Sequence, residues 1–195
     1  MKIKFSTIRA LLAVLLPALA SGCAHMPSGS VQLSSLPAAQ MSSRHVALVL
    51  DPALAEYKYE FHRADTWVFP LGTPIGNYAQ QAVKQCFRQV DVVPTIEQAA
   101  SQTSADLILI PRIVRCEASF PVMLTKETRM TLVIEWTGKE RATQNTVWLK
   151  TITANAAYPM GAFAEGKHQH ILMQRLLDDL SLKTYNAFQE AQELK

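Results

Sequence analysis

The chain has 195 residues, of which 49% are hydrophobic and 18% are charged, and its formal net charge is +3. Residues 1–22 hold three of the 19 Lys and Arg and none of the 16 Asp and Glu, so the rest of the chain is close to neutral. Nucleic-acid-binding proteins need a basic face, and no dense cluster of Lys and Arg follows residue 22, which argues against that class. The remaining length suits one domain of ordinary size.

The first 22 residues have the pattern of a secretory signal. Lys2, Lys4 and Arg9 precede an apolar run over residues 10–20, and small residues then lead to Cys23. The apolar run is about half of the roughly 20 residues that span a bilayer, which argues against an uncleaved anchor. The other alternative is an ordinary secretory signal that a cysteine follows by chance.

The four residues Ala20-Ser21-Gly22-Cys23 resemble the lipobox of bacterial lipoproteins. In that family the cysteine thiol is diacylated, the signal is cut before the cysteine, and the new amino group is acylated in turn. The resemblance implies a signal peptide over residues 1–22 and a lipidated Cys23 that anchors the protein in a membrane. Ala24 follows the cysteine in place of Asp, which resembles the pattern exported to the outer membrane, so we expect a periplasm-facing outer-membrane anchor.

Residues 23–44 are predicted to be a flexible tether, with one periplasmic domain over residues 45–195. Ser, Ala, Pro and Met are frequent after the cysteine, and residues 24–43 show no helical or alternating period and no Asp, Glu, Lys or Arg. A coil of about 20 residues has a root-mean-square span of roughly 25 Å, which would hold the domain clear of lipid headgroups.

Three extended segments are predicted at the start of the domain. Residues 45–50 form an apolar run that Asp51 and Pro52 end, which indicates a buried strand. From residue 56 aromatic and polar side chains alternate, which is typical of a half-buried strand. Residues 66–69 form a further extended piece.

A helix is predicted to begin at Thr73 and Pro74, which offer an N-cap and a proline at the first helical position. Its apolar residues recur at steps of three and four, so one stripe faces a core: Ala79, Ala82, Val83, Cys86, Phe87 and Val90. Residues 90–93 predict a short strand. Thr95 with Gln98 resembles a capping box that opens a short helix.

Residues 107–110 are apolar at every position, which indicates the strand at the centre of the sheet. Pro111 has no N–H to donate, so we expect a bulge or a change of edge there. Residues 129–136 and 146–157 predict a hairpin with Gly138 in its loop.

An amphipathic helix over residues 168–193 is predicted to close the domain. Trp136 and Trp148 are predicted to lie near one another across the hairpin. The predicted fold class is therefore α+β, with a mixed or antiparallel sheet packed by one central helix and one long C-terminal helix.

Two cysteines remain once Cys23 is lipidated. Cys86 is predicted on the apolar face of the central helix, and Cys116 near the end of a strand. In an oxidising setting a disulfide between them is one alternative, and its closed loop of about 31 residues would contribute on the order of 3 kcal/mol. The other alternative is two separate buried thiols that act as small hydrophobic residues.

Motifs for catalysis or metal binding are missing from the sequence. His168 and His170 are the one close histidine pair, and on a helix they would lie about 200° apart. Asp178 and Asp179 are helix neighbours, which point in different directions. Phosphate-binding loops, dinucleotide fingerprints and nucleophile elbows are also missing. We therefore expect no enzyme, no bound metal and no cofactor.

Apolar residues occupy two segments that hydrophobic patterning assigns to loops, one before the hairpin and one before the last helix. Ordinary loop packing is one interpretation, and an exposed patch for a protein partner or lipid is the other. The candidate contact residues are Phe120, Val122, Met123, Leu124, Tyr158, Met160 and Phe163.

The order of the predicted elements resembles the small periplasmic α/β domains of Gram-negative lipoproteins, such as the lipopolysaccharide-assembly lipoproteins and the auxiliary lipoproteins of ABC-type lipid transporters. The resemblance is one of layout, and Cys23 is the one residue to which it gives a role. It implies a non-catalytic protein that binds an envelope protein partner in assembly or transport. The alternative is a carrier of lipid or another hydrophobic ligand, which would need an apolar cavity of roughly 300 Å³.

Overall fold

The computed structural model describes residues 24–25, 41–62, 66–119, 127–159 and 166–194. Its strands are β1 (Ala24–His25), β2 (Ser42–Val49), β3 (Tyr59–His62), β4 (Thr66–Phe69), β5 (Phe87–Val93), β6 (Leu107–Ser119), β7 (Glu127–Glu140) and β8 (Thr146–Pro159). Its helices are α1 (Pro52–Ala55), α2 (Gly72–Cys86), α3 (Ile96–Ser101) and α4 (Gly166–Glu190), and a 3-10 turn follows over Gln192–Leu194. None of the helices in these ranges is both long and apolar enough to cross a membrane.

The main sheet has five strands in the order β5-β2-β6-β7-β8, and β6 is its centre, as the apolar run predicts. β5, β2 and β6 are parallel, whereas β6, β7 and β8 are antiparallel. A smaller sheet has the order β1-β4-β3. The predicted α+β class with a mixed sheet, a central helix and a long C-terminal helix is confirmed.

The core lies between one face of the main sheet and the helices α2 and α4. Its largest fully buried side chains include Trp136, Tyr78, Phe69, Leu107, Leu132 and Ile134. Trp136 and Trp148 lie near one another across the hairpin, as predicted, although as diagonal neighbours: Trp136 pairs with Lys150 and Trp148 with Gly138. Both contact Phe188 of α4, whose ring lies 5.0 Å from the Trp136 ring and 5.4 Å from the Trp148 ring.

Pro111 lies inside β6, in the part of the strand that has lost one of its two neighbours, which is the change of edge that the sequence predicts. β2 pairs with β6 only through Leu107, Ile108 and Leu109, while β7 continues to pair with β6 as far as Ser119. The proline therefore lies two residues after Leu109, the last residue with strand partners on both sides, where a missing N–H is tolerated. The register shift of β6 lies further on, between Ile113 and Arg115.

Several predicted element bounds were wrong. Phe87 and Val90, predicted on the apolar stripe of the central helix, lie in β5, because α2 ends at Cys86. Glycine accounts for two other wrong bounds. α2 begins at Gly72, before Thr73, because the chain passes so close to α1 that a Cβ at Gly72 would meet the backbone oxygen of Ala55 at 2.5 Å. Gly138 lies within β7, not in the loop, and its missing side chain leaves room for the Cβ of Trp148. The β7–β8 loop is therefore residues 141–145 alone.

The outer edge of β8 is covered by three charged side chains of α4. Arg175 Nη1 donates to the Ala157 carbonyl at 2.7 Å, Asp179 Oδ2 accepts from the Asn155 N–H at 2.8 Å, and Lys183 Nζ donates to the Thr153 carbonyl at 2.9 Å. Four helical residues rise about 6 Å and two strand residues about 6.8 Å, so successive side chains meet successive backbone groups. An edge strand covered in this way is protected from pairing with another chain.

We expect Asp179→Ala to lower the free energy of unfolding by about 1 kcal/mol, because it removes the acceptor for the Asn155 N–H and the partner of Lys183. Urea denaturation measures the change. Glu190→Ala, an exposed position near the end of the same helix, is the control and should change stability by less than about 0.5 kcal/mol. Equal losses in the two variants would contradict a role for Asp179 on the strand edge.

Candidate functional site

Three strands of the main sheet meet at the end where the candidate contact segments are attached. β6 ends at Ser119, which pairs with Arg129 of β7, and Glu127 of β7 pairs with Pro159 of β8. Neighbouring strands lie about 4.8 Å apart, so segments 120–126 and 160–165 are attached at the same end of the sheet. We call this end of the strands the loop end. The sequence places the two segments far apart, and the strand pairing brings their attachment points together.

Six of the predicted contact residues lie outside the described residues, namely Phe120, Val122, Met123, Leu124, Met160 and Phe163. Cys23 also lies outside them. The structure therefore describes where the contact segments begin and end, and Tyr158 is the one predicted contact residue whose surroundings it gives.

Tyr158 is half-buried and is fixed from two sides by α4. Its ring lies 5.8 Å from the His168 ring, and the Arg175 guanidinium carbon lies 5.0 Å from its centroid. A cation over an aromatic ring contributes about 0.5–2 kcal/mol, depending on how far it is removed from water. Tyr158 therefore joins β8 to α4 beside the loop end.

Two buried polar side chains lie close to the loop end in the fold. Thr128 is the β7 partner of Tyr158, and Gln169 follows His168 on α4; both are 0% exposed. Within the described part of the chain, the Thr128 hydroxyl and both polar atoms of the Gln169 amide lack a hydrogen-bond partner. Leaving a buried polar group unpaired costs about 1–3 kcal/mol. A polar group of a bound molecule would offset that cost.

A half-open cleft of about 230 Å³ lies where β2 ends and β6 loses its second neighbour. Asp51 and Arg112 are its charged lining residues, together with Tyr57, Pro111 and Ile113. Asp51 Oδ1 already accepts the Ala53 N–H at 2.7 Å, and Arg112 already pairs with Glu135 at 2.8 Å. These contacts hold the start of α1 and join β6 to β7.

A second cleft, of about 220 Å³, lies at the opposite end of the sheet from the loop end, and it is lined by Arg44, Asp106, Glu140 and Arg141. Arg141 Nε donates to the Ala105 carbonyl at 2.6 Å, and Asp106 Oδ2 accepts the His45 N–H at 3.0 Å. Both side chains therefore bond the backbone around the start of β6. Their contacts are structural.

One member of each pair that the sequence shows has a structural contact in the fold. The His168 ring lies 5.8 Å from the Tyr158 ring, and Asp179 bonds the edge of β8. Among the described residues there is no group of three or more His, Cys, Asp and Glu side chains that could hold a metal ion. That Asp179 bonds β8 was not predicted, because the sequence alone does not show where α4 crosses that strand.

Cys86 and Cys116 are both free thiols, which is the second of the two alternatives drawn from the sequence. Cys86 is buried on α2, where its sulfur accepts from Gln189 Nε2 at 3.6 Å. Cys116 is half-buried on β6 opposite Leu132. Burial, with a smaller contribution from the Glu117 carboxylate, raises the pKa of Cys116 from 9.0 to about 12. Burial also raises the pKa of Cys86.

No protein-family model matches the chain, and a comparison with curated proteins finds no match. Solved structures do resemble it. Protein XCC0632 from Xanthomonas campestris, of the family DUF330, is 12% identical with a TM-score of 0.56, and the match covers 86% of this chain and 93% of that one. At that identity the likeness shows a shared fold alone.

Two lipoproteins are more loosely similar. A minor lipoprotein from Acinetobacter baumannii is 13% identical with a TM-score of 0.44, covering 76% of this chain and 92% of that one. Lipoprotein GNA1162 from Neisseria meningitidis is 10% identical with a TM-score of 0.35, covering 58% and 83%. Gram-negative lipoproteins are thus among the structures similar to this chain, but superpositions this loose support no argument about what it does.

We expect Cys116 to react with iodoacetamide about a thousandfold more slowly in the folded protein than after unfolding, because the raised pKa lowers its thiolate fraction at pH 8. Pulse alkylation with mass spectrometry measures the rate. Cys86, whose pKa burial also raises, should be slowed as well.

Unfolding without a reductant is the control for a disulfide. Both cysteines should then react fully. If they stayed unreactive, and the protein were lighter by two hydrogen atoms, the free thiols described above would be contradicted.

Proposed function

We propose that the protein is a non-catalytic lipoprotein of the outer membrane that binds an envelope protein partner through the segments at its loop end. The observation that carries the proposal is the shared origin of segments 120–126 and 160–165 at one end of the sheet. Each segment holds apolar side chains beside proline or glycine, and together they supply enough apolar surface for a contact patch.

Among the described residues, the packing between the main sheet and the two long helices supports partner binding over lipid carriage. The space between the main sheet and α2 and α4 is occupied by fully buried side chains, including Trp136, Tyr78 and Ile134. The two clefts described above measure about 230 and 220 Å³, each below the roughly 300 Å³ of the smallest usual ligand sites. A partner that contacts a surface needs no such cavity.

The carrier of a hydrophobic ligand is the second candidate function, and one observation favours it. Gln169 and Thr128 are buried without hydrogen-bond partners in the described part of the chain, and the strand register and α4 place them near the loop end. A ligand with a polar head could pair with both. The crosslinking experiment below separates the two candidates.

The membrane anchor rests on Cys23 and the lipobox pattern before it. A single acyl chain holds a protein only marginally, at about 0.8 kcal/mol per buried CH₂, whereas two or three chains hold it essentially permanently. Permanent anchoring keeps the protein at the membrane, beside the other proteins of the envelope.

We expect Cys23→Ser to release the protein from membranes or to leave its signal uncut, because the acyl chains then have no attachment site. Membrane fractionation and the intact mass of the protein measure both outcomes. Ser28→Ala, five residues further along, is the matched control and should behave as the unchanged protein. A cut Cys23→Ser protein that still partitions into membranes would contradict the anchor.

We expect a photo-crosslinking amino acid at Phe120 or Phe163 to capture one dominant envelope protein in cells, identified by mass spectrometry. Leu149 is the control position, because its side chain is 59% exposed and apolar but lies ten residues of β8 away from Pro159, about 34 Å along the strand. The same protein captured equally from Leu149 would show a non-specific contact. Lipid adducts alone would contradict partner binding, and the same adducts formed by Cys23→Ser protein released from the membrane would favour the carrier.

A further inference from the structure

The two residues that follow Cys23 belong to the folded domain. Ala24 and His25 form β1, which pairs in parallel with β4: Ala24 with Thr66, and His25 with Trp67. β4 is in turn a core strand, because the Trp67 and Phe69 side chains are buried in the main hydrophobic cluster. The chain beside the anchoring cysteine is therefore one strand away from the core. It is not separated from the core by a tether.

We propose that the small sheet of β1, β4 and β3 lies against the lipid headgroups of the membrane in which the protein is anchored; this rests on the lipidation of Cys23 in the proposed function. Ala24, the residue that follows Cys23 in the sequence, is the strand partner of Thr66, and paired strands lie about 4.8 Å apart. The acyl chains on Cys23 enter the bilayer beside the small sheet, so they hold the small sheet at the membrane surface.

This arrangement differs from the tether that the sequence predicts. A tether over residues 23–44 would separate the anchor from the domain by roughly 25 Å. In the fold, β1 comes before residues 26–40 along the chain, so those residues connect β1 to β2 and do not lie between the anchor and the small sheet.

The exposed side chains of the small sheet suit a headgroup layer. Lys58, Glu60 and His62 alternate along and just before β3 and are exposed, and His62 lies 3.4 Å from Glu60 and 3.2 Å from the Thr66 hydroxyl. Polar side chains of this kind favour the hydrated headgroups over the hydrocarbon core. One Lys beside one Glu gives no net charge, whereas binding to anionic lipid needs an excess of Lys and Arg near the surface. The acyl chains alone therefore set the orientation.

Fluorescence quenching tests the orientation with the mature, lipidated protein in phosphatidylcholine vesicles that carry a nitroxide on the lipid headgroup. A genetically encoded fluorescent amino acid replaces Glu60 in one variant and Ala142 in another. Ala142 is exposed in the β7–β8 loop. Tyr59 of β3 contacts Ala118 near one end of β6, and this loop lies beside the other end, about 35 Å away along the strand. We expect loss of fluorescence at position 60 and none at position 142, unchanged when phosphatidylglycerol is added.

A linker variant tests the role of β1. An insertion of about 20 Gly and Ser residues after Cys23, begun with a second Ala so that the residue after the cysteine is unchanged, allows a span of roughly 25 Å. We expect it to abolish the quenching at position 60 while the protein stays in the vesicles. Membrane-bound protein with no quenching at position 60, or with equal quenching at both positions, would overturn this inference and leave the lipid anchor standing. Recovery of the unaltered protein in the soluble fraction would overturn both.

Discussion

The fold depends on one aromatic contact, that of Phe188 on α4 with rings from three strands. Phe87 begins β5, Trp136 lies in β7 and Trp148 in β8, and their centroids are 6.1, 5.0 and 5.4 Å from the Phe188 ring. β5 and β8 are the two edges of the main sheet, so this one side chain contacts both. Burying an aromatic side chain contributes about 2–3 kcal/mol, and each well-oriented aromatic pair adds about 0.5–1.5 kcal/mol. The position of α4, and with it everything that α4 holds, follows from this contact.

The sequence could predict the elements that the local spacing of apolar and capping residues determines. The apolar run over residues 107–110 predicts a central strand because a strand covered on both faces has no polar side, and β6 is that strand. The Thr95 side chain accepts the Gln98 N–H at 3.3 Å, as its capping pattern predicts. The start of α2 could not be predicted, because Gly72 is required by the approach of α1, which is a tertiary contact.

The candidate site could be predicted only in part, for the same physical reason. Apolar side chains between two strands are visible in the sequence, but that their segments leave one end of a sheet follows from the register of β6, β7 and β8. Tyr158 has the same apolar character as its neighbours in sequence, yet Arg175 and His168 occupy its ring. Arg175 and Asp179 in turn cover the edge of β8, and a helical pattern alone does not show where α4 crosses that strand. Which polar residues have partners is decided by the packing of α4.

The proposed anchor and the loop end are connected through β3. The Ala118 N–H donates to the Tyr59 hydroxyl at 2.9 Å, one residue before β6 ends, so β3 lies beside the start of segment 120–126. Tyr59 also pairs with Phe69 of β4, which carries β1 on its other side. A small sheet held at the headgroups therefore brings the loop end to the membrane surface as well. A partner bound there would have to present its own contact surface within reach of the headgroups, which favours a protein of the same membrane over one that diffuses freely in the periplasm.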